Sequence, residues 1–188
     1  LSAMRDDCTL DHSILLTELE RYDEAKALLD GHWFHTYEGG EGNLTRHHAW
    51  LMTLIGKKLA AEGKYKEAIE AYKSGYTFPL CYGEEKNSFA QESHLGYGLA
   101  MAYKADGNKR EYEKALKSAM TDHAAPSEIS YVRALAFYEA GEISAAHALC
   151  EEMIAAGKEK IRDKDVPAYY GVGSPCPCPF EYNFPKIN

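Results

Sequence analysis

The chain has 188 residues, of which 45% are hydrophobic and 27% are charged, and its formal net charge is −8. This length and composition suit one globular core or one short array of repeats. The negative net charge excludes nucleic acid and an anionic membrane surface as main partners. The basic residues form no local positive patch along the sequence either, since no run of them is longer than two. No stretch approaches the roughly 18 consecutive apolar residues of a transmembrane helix, so we expect no membrane partner either.

The cysteines indicate the compartment. There are five, an odd number spread widely along the chain, which does not suit a disulfide framework. We therefore expect a reducing, cytoplasmic environment. The chain opens on Leu1 instead of Met and ends in a Pro-rich stretch, which favours a piece of a longer protein.

Four segments share one pattern, in which a helix is followed by a tight turn and a second helix. They are 15–29, 58–72, 101–116 and 135–150. The predicted turns fall 43, 44 and 34 residues apart, at Glu20, Gly63, Gly107 and Gly141. Glycine suits this turn because the left-handed conformation costs it little. The pattern predicts eight helices in four antiparallel pairs, with insertions of nine or ten residues after the first two pairs.

Small and large side chains recur at fixed distances from each turn. Seven residues before it lies a small residue: Ser13, Gly56, Ala100 or Ala134. Five residues after it lies an alanine in three repeats: Ala25, Ala68 and Ala146. Nine residues after it we expect an inward-facing residue: Leu29, Tyr72, Leu116 or Cys150. These spacings place the residues on one helical stripe, where two helices approach closely. Tyr112 takes the alanine position in the third repeat, which leaves open how closely that pair packs.

The second repeat carries a small–large–Gly–Tyr–Ala–aromatic signature at Gly56, Leu59, Gly63, Tyr65, Ala68 and Tyr72. This signature is similar to that of the tetratricopeptide repeat (TPR). The resemblance implies an all-α, right-handed α-solenoid of about four antiparallel helix pairs over residues 1–165, which binds partners on its concave face. The alternative is a plain antiparallel helical bundle.

A second resemblance rests on three short stretches: Phe34–Asn43, Arg5–Asp7 and Pro126–Glu128. They are similar to the helical C-terminal regions of large bacterial proteins of poorly defined function. Those proteins carry a mutarotase-like, carbohydrate-related β-domain at their N-terminus. The resemblance implies a TPR-like role inside a sugar-processing protein, and it identifies no active site.

The two insertions align with each other, so that Glu41 matches Glu85 and Asn43 matches Asn87. One interpretation is helix capping, in which an asparagine or the nearby Ser88 satisfies the backbone donors at a helix start. The other is that both loops stand on one rim and cover a ligand surface, since loops often carry function. The carboxylates of that rim would be Glu38, Glu41 and Glu85.

Histidines cluster near the first insertion, at His32, His35, His47 and His48. A metal site is one interpretation. However, adjacent residues on a helix point about 100° apart, so His47 and His48 cannot share a centre. Cys176 and Cys178 are also poorly spaced for zinc. We expect no metal and no cofactor, and we expect these histidines to be surface residues or hydrogen-bonded core residues.

The repeat register assigns a set of first-helix residues to the concave face: Trp50, Lys57, His94, Tyr97, Tyr131 and Tyr138. Aromatic side chains with a polar tip suit recognition of peptides or sugars. The alternative is that they pack against the loops or the tail and meet no ligand.

The tail at 166–188 is rich in proline and is expected to be extended, lying along the last helices or linking to another domain. No nucleotide-binding, hydrolase or kinase motif occurs in the sequence. We therefore predict a non-catalytic scaffold that docks a peptide or a neighbouring protein domain. Two alternatives stay open: an accessory helical domain that shapes or covers the sugar site of a carbohydrate-active enzyme, and an enzyme that uses the histidine-rich loop with a metal.

Overall fold

The computed structural model describes residues 5–35, 40–85, 90–121, 127 and 129–162. Over these ranges it contains eight α-helices, a short 3₁₀ turn at Leu80–Tyr82 and no strand. The helices are α1 (Asp6–Glu18), α2 (Tyr22–Asp30), α3 (Asn43–Ala61), α4 (Tyr65–Ser74), α5 (Ser93–Ala105), α6 (Lys109–Met120), α7 (Ser130–Glu139) and α8 (Ile143–Arg162). Within the same ranges, no helix is long and apolar enough to cross a bilayer. The predicted tail at 166–188 lies outside them, as do Glu38, Asn87 and Ser88.

All four predicted turns are confirmed. The residues at the turns adopt a left-handed backbone, with φ of 58° at Glu20, 77° at Gly63, 80° at Gly107 and 83° at Gly141. Each turn is closed in the same way, by a backbone N–H just after it that donates to a carbonyl four residues before it. In the second repeat this bond runs from Lys64 to Leu59 at 2.9 Å.

The helices pack in the predicted pairs, α1 with α2, α3 with α4, α5 with α6 and α7 with α8. Each second helix also contacts the first helix of the next pair, and α3, α5 and α7 contact one another in succession. The all-helical fold and its division into four pairs are therefore confirmed.

The buried side chains form two clusters of different composition. The first, the leucine core, lies between α1, α2, α3 and the loop before α5. It contains Leu10, Ile14, Leu16, Ala25, Leu29, Phe34, Leu44, Leu51 and Tyr82. The second, the alanine core, lies mainly between α4, α5, α6 and α7. It contains Ala49, Ala68, Ile69, Tyr72, Leu95, Ala100, Ala102, Tyr103, Ala115, Leu116, Ala119 and Ala136.

The closest helix approach in the alanine core surrounds Tyr72. A Cβ added to Gly56 of α3 would lie 2.7 Å from the ring atom Cζ of Tyr72, and a Cβ added to Gly98 of α5 would also overlap the ring. Ala68 beside it is fully buried. The close contacts predicted at Gly56 and Ala68 are thus confirmed.

The third pair packs closely despite Tyr112. Its close approach has moved to Gly96, where an added Cβ would lie 3.1 Å from the Cβ of Ala119. Tyr112 is only half-buried, and its hydroxyl donates a hydrogen bond to Glu139 of α7. A larger residue at the alanine position therefore reaches towards the next pair instead of separating its own two helices.

The prediction that Cys150 faces inward is wrong. Cys150 is exposed, and the neighbouring Leu149 is buried instead. The equivalent residues of the earlier repeats, Leu29, Tyr72 and Leu116, are buried in clusters that include the next first helix. No described helix follows α8, so nothing in the described part of the chain covers Cys150.

Candidate functional site

The candidate residues fall into two places, and the first is a cleft at the N-terminal ends of α1 and α3. We call it the acidic cleft. Carboxylates line it at Asp6, Asp7, Glu41 and Glu84. Apolar and aromatic side chains form its floor: Leu10, Phe34, Leu44 and Tyr82. The cleft opens to solvent. Described residues from two of the stretches that carry the second resemblance, Asp6 and Asp7 from one and Phe34 and Glu41 from the other, therefore meet at this cleft.

The start of α3 is held by a residue from the second loop. The carboxylate of Glu84 accepts hydrogen bonds from the backbone N–H groups of Gly42, at 2.9 Å, and Thr45, at 3.2 Å. A negative charge is favourable here because the helix N-terminus carries a partial positive charge. The interpretation of Asn43 as the cap is wrong, since the N-cap is Gly42 and Asn43 is already inside the helix.

Further bonds fasten the two loops to each other and to α1. The backbone N–H of Phe34 donates to the carbonyl of Cys81 at 2.7 Å. Asp6 accepts from the backbone N–H of His35, and its Oδ1 lies 2.7 Å from Nε2 of His32. Burial by itself raises the pKa of Asp6, but the bonds with His32 and His35 outweigh it, so the pKa lies below its usual range. Asp6 is thus ionised at neutral pH and ties the first loop down.

His47 and His48 point to different partners and are hydrogen-bonded core residues, as one interpretation of the sequence expected. Nε2 of His47 lies 2.9 Å from Oγ of Ser13, so it links α3 to α1. Nε2 of His48 lies 3.0 Å from the carbonyl oxygen of Ser74, and its Nδ1 lies 3.1 Å from the Tyr82 hydroxyl. Burial lowers the pKa of His47 to about 3 and also lowers that of His48.

Within the ranges that the structure covers, no group of three or more His, Cys, Asp or Glu is arranged to hold a metal ion. Among the histidines considered as metal ligands, His32 and His35 both form a hydrogen bond with Asp6.

The second place is the set of first-helix residues assigned to the concave face, which we call the aromatic face. Trp50 of α3 is half-buried, and its ring centroid lies 6.0 Å from that of His94 of α5. His94 is only 4% exposed, so it supports Trp50 from beneath and presents little surface of its own. Lys57 is exposed, two turns further along α3.

The aromatic face continues over α5 and α7. Tyr97 and Tyr131 are half-buried, and Tyr138 is 61% exposed. Lys104 of α5 forms an ion pair with Glu139 of α7, and the Tyr112 hydroxyl donates to the same carboxylate at 3.0 Å. Burial, together with the charge of Glu139, raises the pKa of Tyr97. The ion pair between Lys104 and Glu139 holds α5 and α7 together beneath the tyrosines.

Two of the three rim carboxylates predicted from the sequence fall among the described residues. Glu41 lines the acidic cleft, and Glu85 is exposed next to Glu84. Glu38 lies outside the described residues. Sequence reasoning missed the roles of Asp6, Glu84 and Glu139, which depend on contacts across 26 to 42 positions of chain. The sequence indicated only one of these contacts: Tyr112, which replaces the alanine expected from the repeat, donates the hydrogen bond to Glu139 of α7.

Comparisons with known proteins supply no relative for this chain. No family model matches it, no curated protein does, and no solved structure does.

Proposed function

We propose that the chain is a right-handed TPR-like array that acts as a non-catalytic binding scaffold. Its ligand is an extended peptide segment of a neighbouring protein domain, held on the aromatic face. The observation that carries the proposal is the run of contacts that joins α3, α5 and α7. These three first helices bear all six residues of the aromatic face.

The packing supports a curved array. First helices of successive pairs contact one another, whereas second helices of successive pairs make at most slight contact within the described part of the chain. Stacked pairs whose first helices lie closer together curve towards the first-helix side. The aromatic face would then be concave, which is the shape that encloses most of a bound segment.

The side chains suit a peptide. Trp50, Tyr97 and Tyr131 each combine a large apolar ring with a hydrogen-bonding tip, and rings lose little conformational entropy on binding. A peptide backbone offers both donors and acceptors to such tips. Lys57 and the Lys104–Glu139 pair add charges of both signs along the face.

The test is a titration of the isotope-labelled chain with a panel of short peptides, followed by backbone chemical shifts. For any peptide that binds, we expect shifts on α3, α5 and α7. Tyr97→Ala and Tyr131→Ala should each weaken binding by about 1–2 kcal/mol, which is roughly 5- to 30-fold. Tyr65→Ala is the matched control, because Tyr65 is a surface tyrosine on the second helix α4. Shifts confined to the second helices would contradict the proposal.

A second candidate is the accessory domain of a carbohydrate-active protein, with the acidic cleft covering part of a sugar site. It is favoured by the convergence of Asp6 and Asp7 with Phe34 and Glu41 on this cleft. Ionised carboxylates accept hydrogen bonds from sugar hydroxyls. The same titration with neutral oligosaccharides should then shift the amides of Gly40 to Leu44, and Glu41→Gln should weaken the effect. Shifts at α5 and α7 with sugars, and none at the cleft, would count against this candidate.

A further inference from the structure

A chain of hydrogen-bonding groups runs from α3 through the second loop to α2. Nε2 of His48, on α3, lies 3.0 Å from the carbonyl oxygen of Ser74, and Nδ1 of His48 lies 3.1 Å from the Tyr82 hydroxyl. The same hydroxyl lies 3.4 Å from Oδ1 of Asp30, the last residue of α2. The other carboxylate oxygen of Asp30 pairs with Lys26. His48 and Tyr82 are buried, whereas Asp30 reaches solvent.

This chain is one hydrogen short when His48 is neutral. A carbonyl oxygen only accepts, so Nε2 of His48 carries the ring hydrogen and Nδ1 is left with a lone pair. The carboxylate of Asp30 also only accepts. The hydroxyl hydrogen of Tyr82 therefore lies between two acceptors and can serve only one of them, and Nδ1 of His48 is the nearer. Burial, followed by the charge of Asp30, raises the pKa of Tyr82, so the hydroxyl keeps its hydrogen.

A proton taken from solvent by His48 supplies the missing hydrogen. Nδ1 then becomes a donor, the Tyr82 oxygen accepts from it, and the Tyr82 hydrogen is released to Asp30. Both contacts are now hydrogen bonds, and each includes a charged group, which makes it stronger than a neutral bond. In this form Tyr82 is bonded to α2 and to α3 at the same time.

The surroundings determine when His48 gains this proton. Burial is the largest influence and lowers the pKa of His48, so the charged form appears in acid, below the usual range of histidine. The Ser74 carbonyl and the charge of Asp30 act in the opposite direction, and Lys26 acts with burial. From α4 and the residues just after it, the ring meets the backbone carbonyls of Ser74 and Thr77. The titratable groups that face this chain from α2, α3 and the loop are Lys26, Asp30, His47, Cys81 and Tyr82.

We propose that His48, Tyr82 and Asp30 form a switch operated by acid, in which protonation of His48 turns the Tyr82 hydroxyl from His48 to Asp30. The switch lies beneath the acidic cleft, because Tyr82 forms part of the cleft floor. Glu84, two residues further along the same loop, holds the start of α3. Protonation of His48 therefore acts on the loop that shapes the cleft.

An acid titration of the isotope-labelled full chain, followed by nitrogen and carbon NMR, tests the switch. At neutral pH the ring nitrogens of His48 should show a hydrogen on Nε2 and none on Nδ1. As the pH falls, Nδ1 should gain a proton while the chain stays folded. The Cζ of Tyr82 and the carboxyl carbon of Asp30 should shift with the same midpoint. A proton that appears on Asp30 while His48 stays neutral overturns the proposal, and so does unfolding before His48 is protonated.

Two variants test whether the hydroxyl and the carboxylate belong to the switch. Tyr82→Phe keeps the ring and removes the acceptor of the charged His48, so the proton affinity of His48 should fall about tenfold, which is about one pH unit. Asp30→Asn removes the negative charge and should lower the midpoint of the His48 titration as well. Tyr22→Phe is the matched control, because Tyr22 lies at the opposite end of α2 from Asp30. It should leave the midpoint unchanged.

An unchanged midpoint in a folded Tyr82→Phe chain would mean that His48 titrates independently of the hydroxyl, which overturns the proposal. If Tyr82→Phe does not fold, Asp30→Asn decides by the same criterion, since Asp30 is exposed and its replacement is of equal size.

Discussion

The leucine core and the alanine core hold neighbouring helices together by different means. The leucine core joins its helices with polar contacts buried among aliphatic side chains, including Ser13 with His47 and Tyr82 with His48. In the alanine core the ring of Tyr72 is wedged between Gly56 and Gly98. The first arrangement depends on the protonation state of the two histidines, whereas the second depends on the space available to the Tyr72 ring. One repeat pattern thus tolerates two ways of specifying how helices meet.

The largest effect is expected from substitutions that add a side chain beside the Tyr72 ring. Gly98→Leu and Gly56→Leu should each lower the free energy of unfolding by about 3 kcal/mol, because Tyr72 is 4% exposed and has no room to move. Ala68→Leu should act in the same direction. Urea denaturation measures the effect.

Gly157 provides the control for this prediction. An added Cβ at Gly157 meets nothing within 4 Å, and the residue lies inside α8. Gly157→Leu should therefore be neutral or stabilise by up to about 1 kcal/mol through helix propensity. Equal losses at Gly98 and Gly157 would mean that the wedge is not a tight contact.

Acid should weaken the leucine core first. Burial lowers the pKa of His47 from 6.5 to about 3, so the unfolded chain binds a proton below pH 6.5 and the folded chain does not. Stability from this group is complete above pH 6.5 and is lost as pH falls towards 3, at about 1.4 kcal/mol per pH unit. Between pH 7 and pH 5 we expect a loss of about 2 kcal/mol from this residue.

Urea denaturation at several pH values tests the role of His47. His47→Gln keeps an N–H for Ser13 but cannot titrate, so its stability should depend less on pH. The exposed His12 gives the control, and His12→Gln should retain the full dependence. An unchanged pH dependence in His47→Gln would show that other groups control the acid response.

The contact between loops should have a smaller effect. Glu84→Ala removes a carboxylate that accepts from two backbone N–H groups at the start of α3, and should cost about 1 kcal/mol. Glu85→Ala removes the exposed neighbour and should change stability by less than about 0.5 kcal/mol. Thermal unfolding measures the stability of both variants. Equal losses of stability would mean that the hydrogen bonds between Glu84 and the start of α3 contribute little.

The smallest effect, and one of opposite sign, is expected at the first turn. Glu20 is the only described residue other than glycine with a positive φ, at 58°. Glu20→Gly should relieve this strain and stabilise the chain by about 0.5–1 kcal/mol. Gly63→Ala introduces the same strain at an equivalent turn and should destabilise by a similar amount. Differential scanning calorimetry compares the two, and matching signs would contradict the equivalence of the turns.

The local parts of this structure could be predicted from the sequence, and the contacts between repeats could not. The turns at Glu20 and Gly63 and the close contact at Gly56 follow from spacing, since helix geometry converts spacing into direction. Whether a residue is covered depends also on the neighbouring pair, which is why Cys150 was placed on the wrong side. The role of Glu84 depends on how two loops pack, and the aromatic face could be located but not assigned a ligand.

The hydrogen bond from Gly42 to Glu84 spans 42 positions of chain, and this has a consequence for the order of folding. During synthesis the start of α3 stays uncapped until the residues after α4 have emerged, so the second pair cannot be completed by itself. The first pair depends in turn on His47 of α3. The two N-terminal pairs should therefore open and close as one cooperative unit, and their slowly exchanging amides should share one opening free energy in native-state hydrogen exchange.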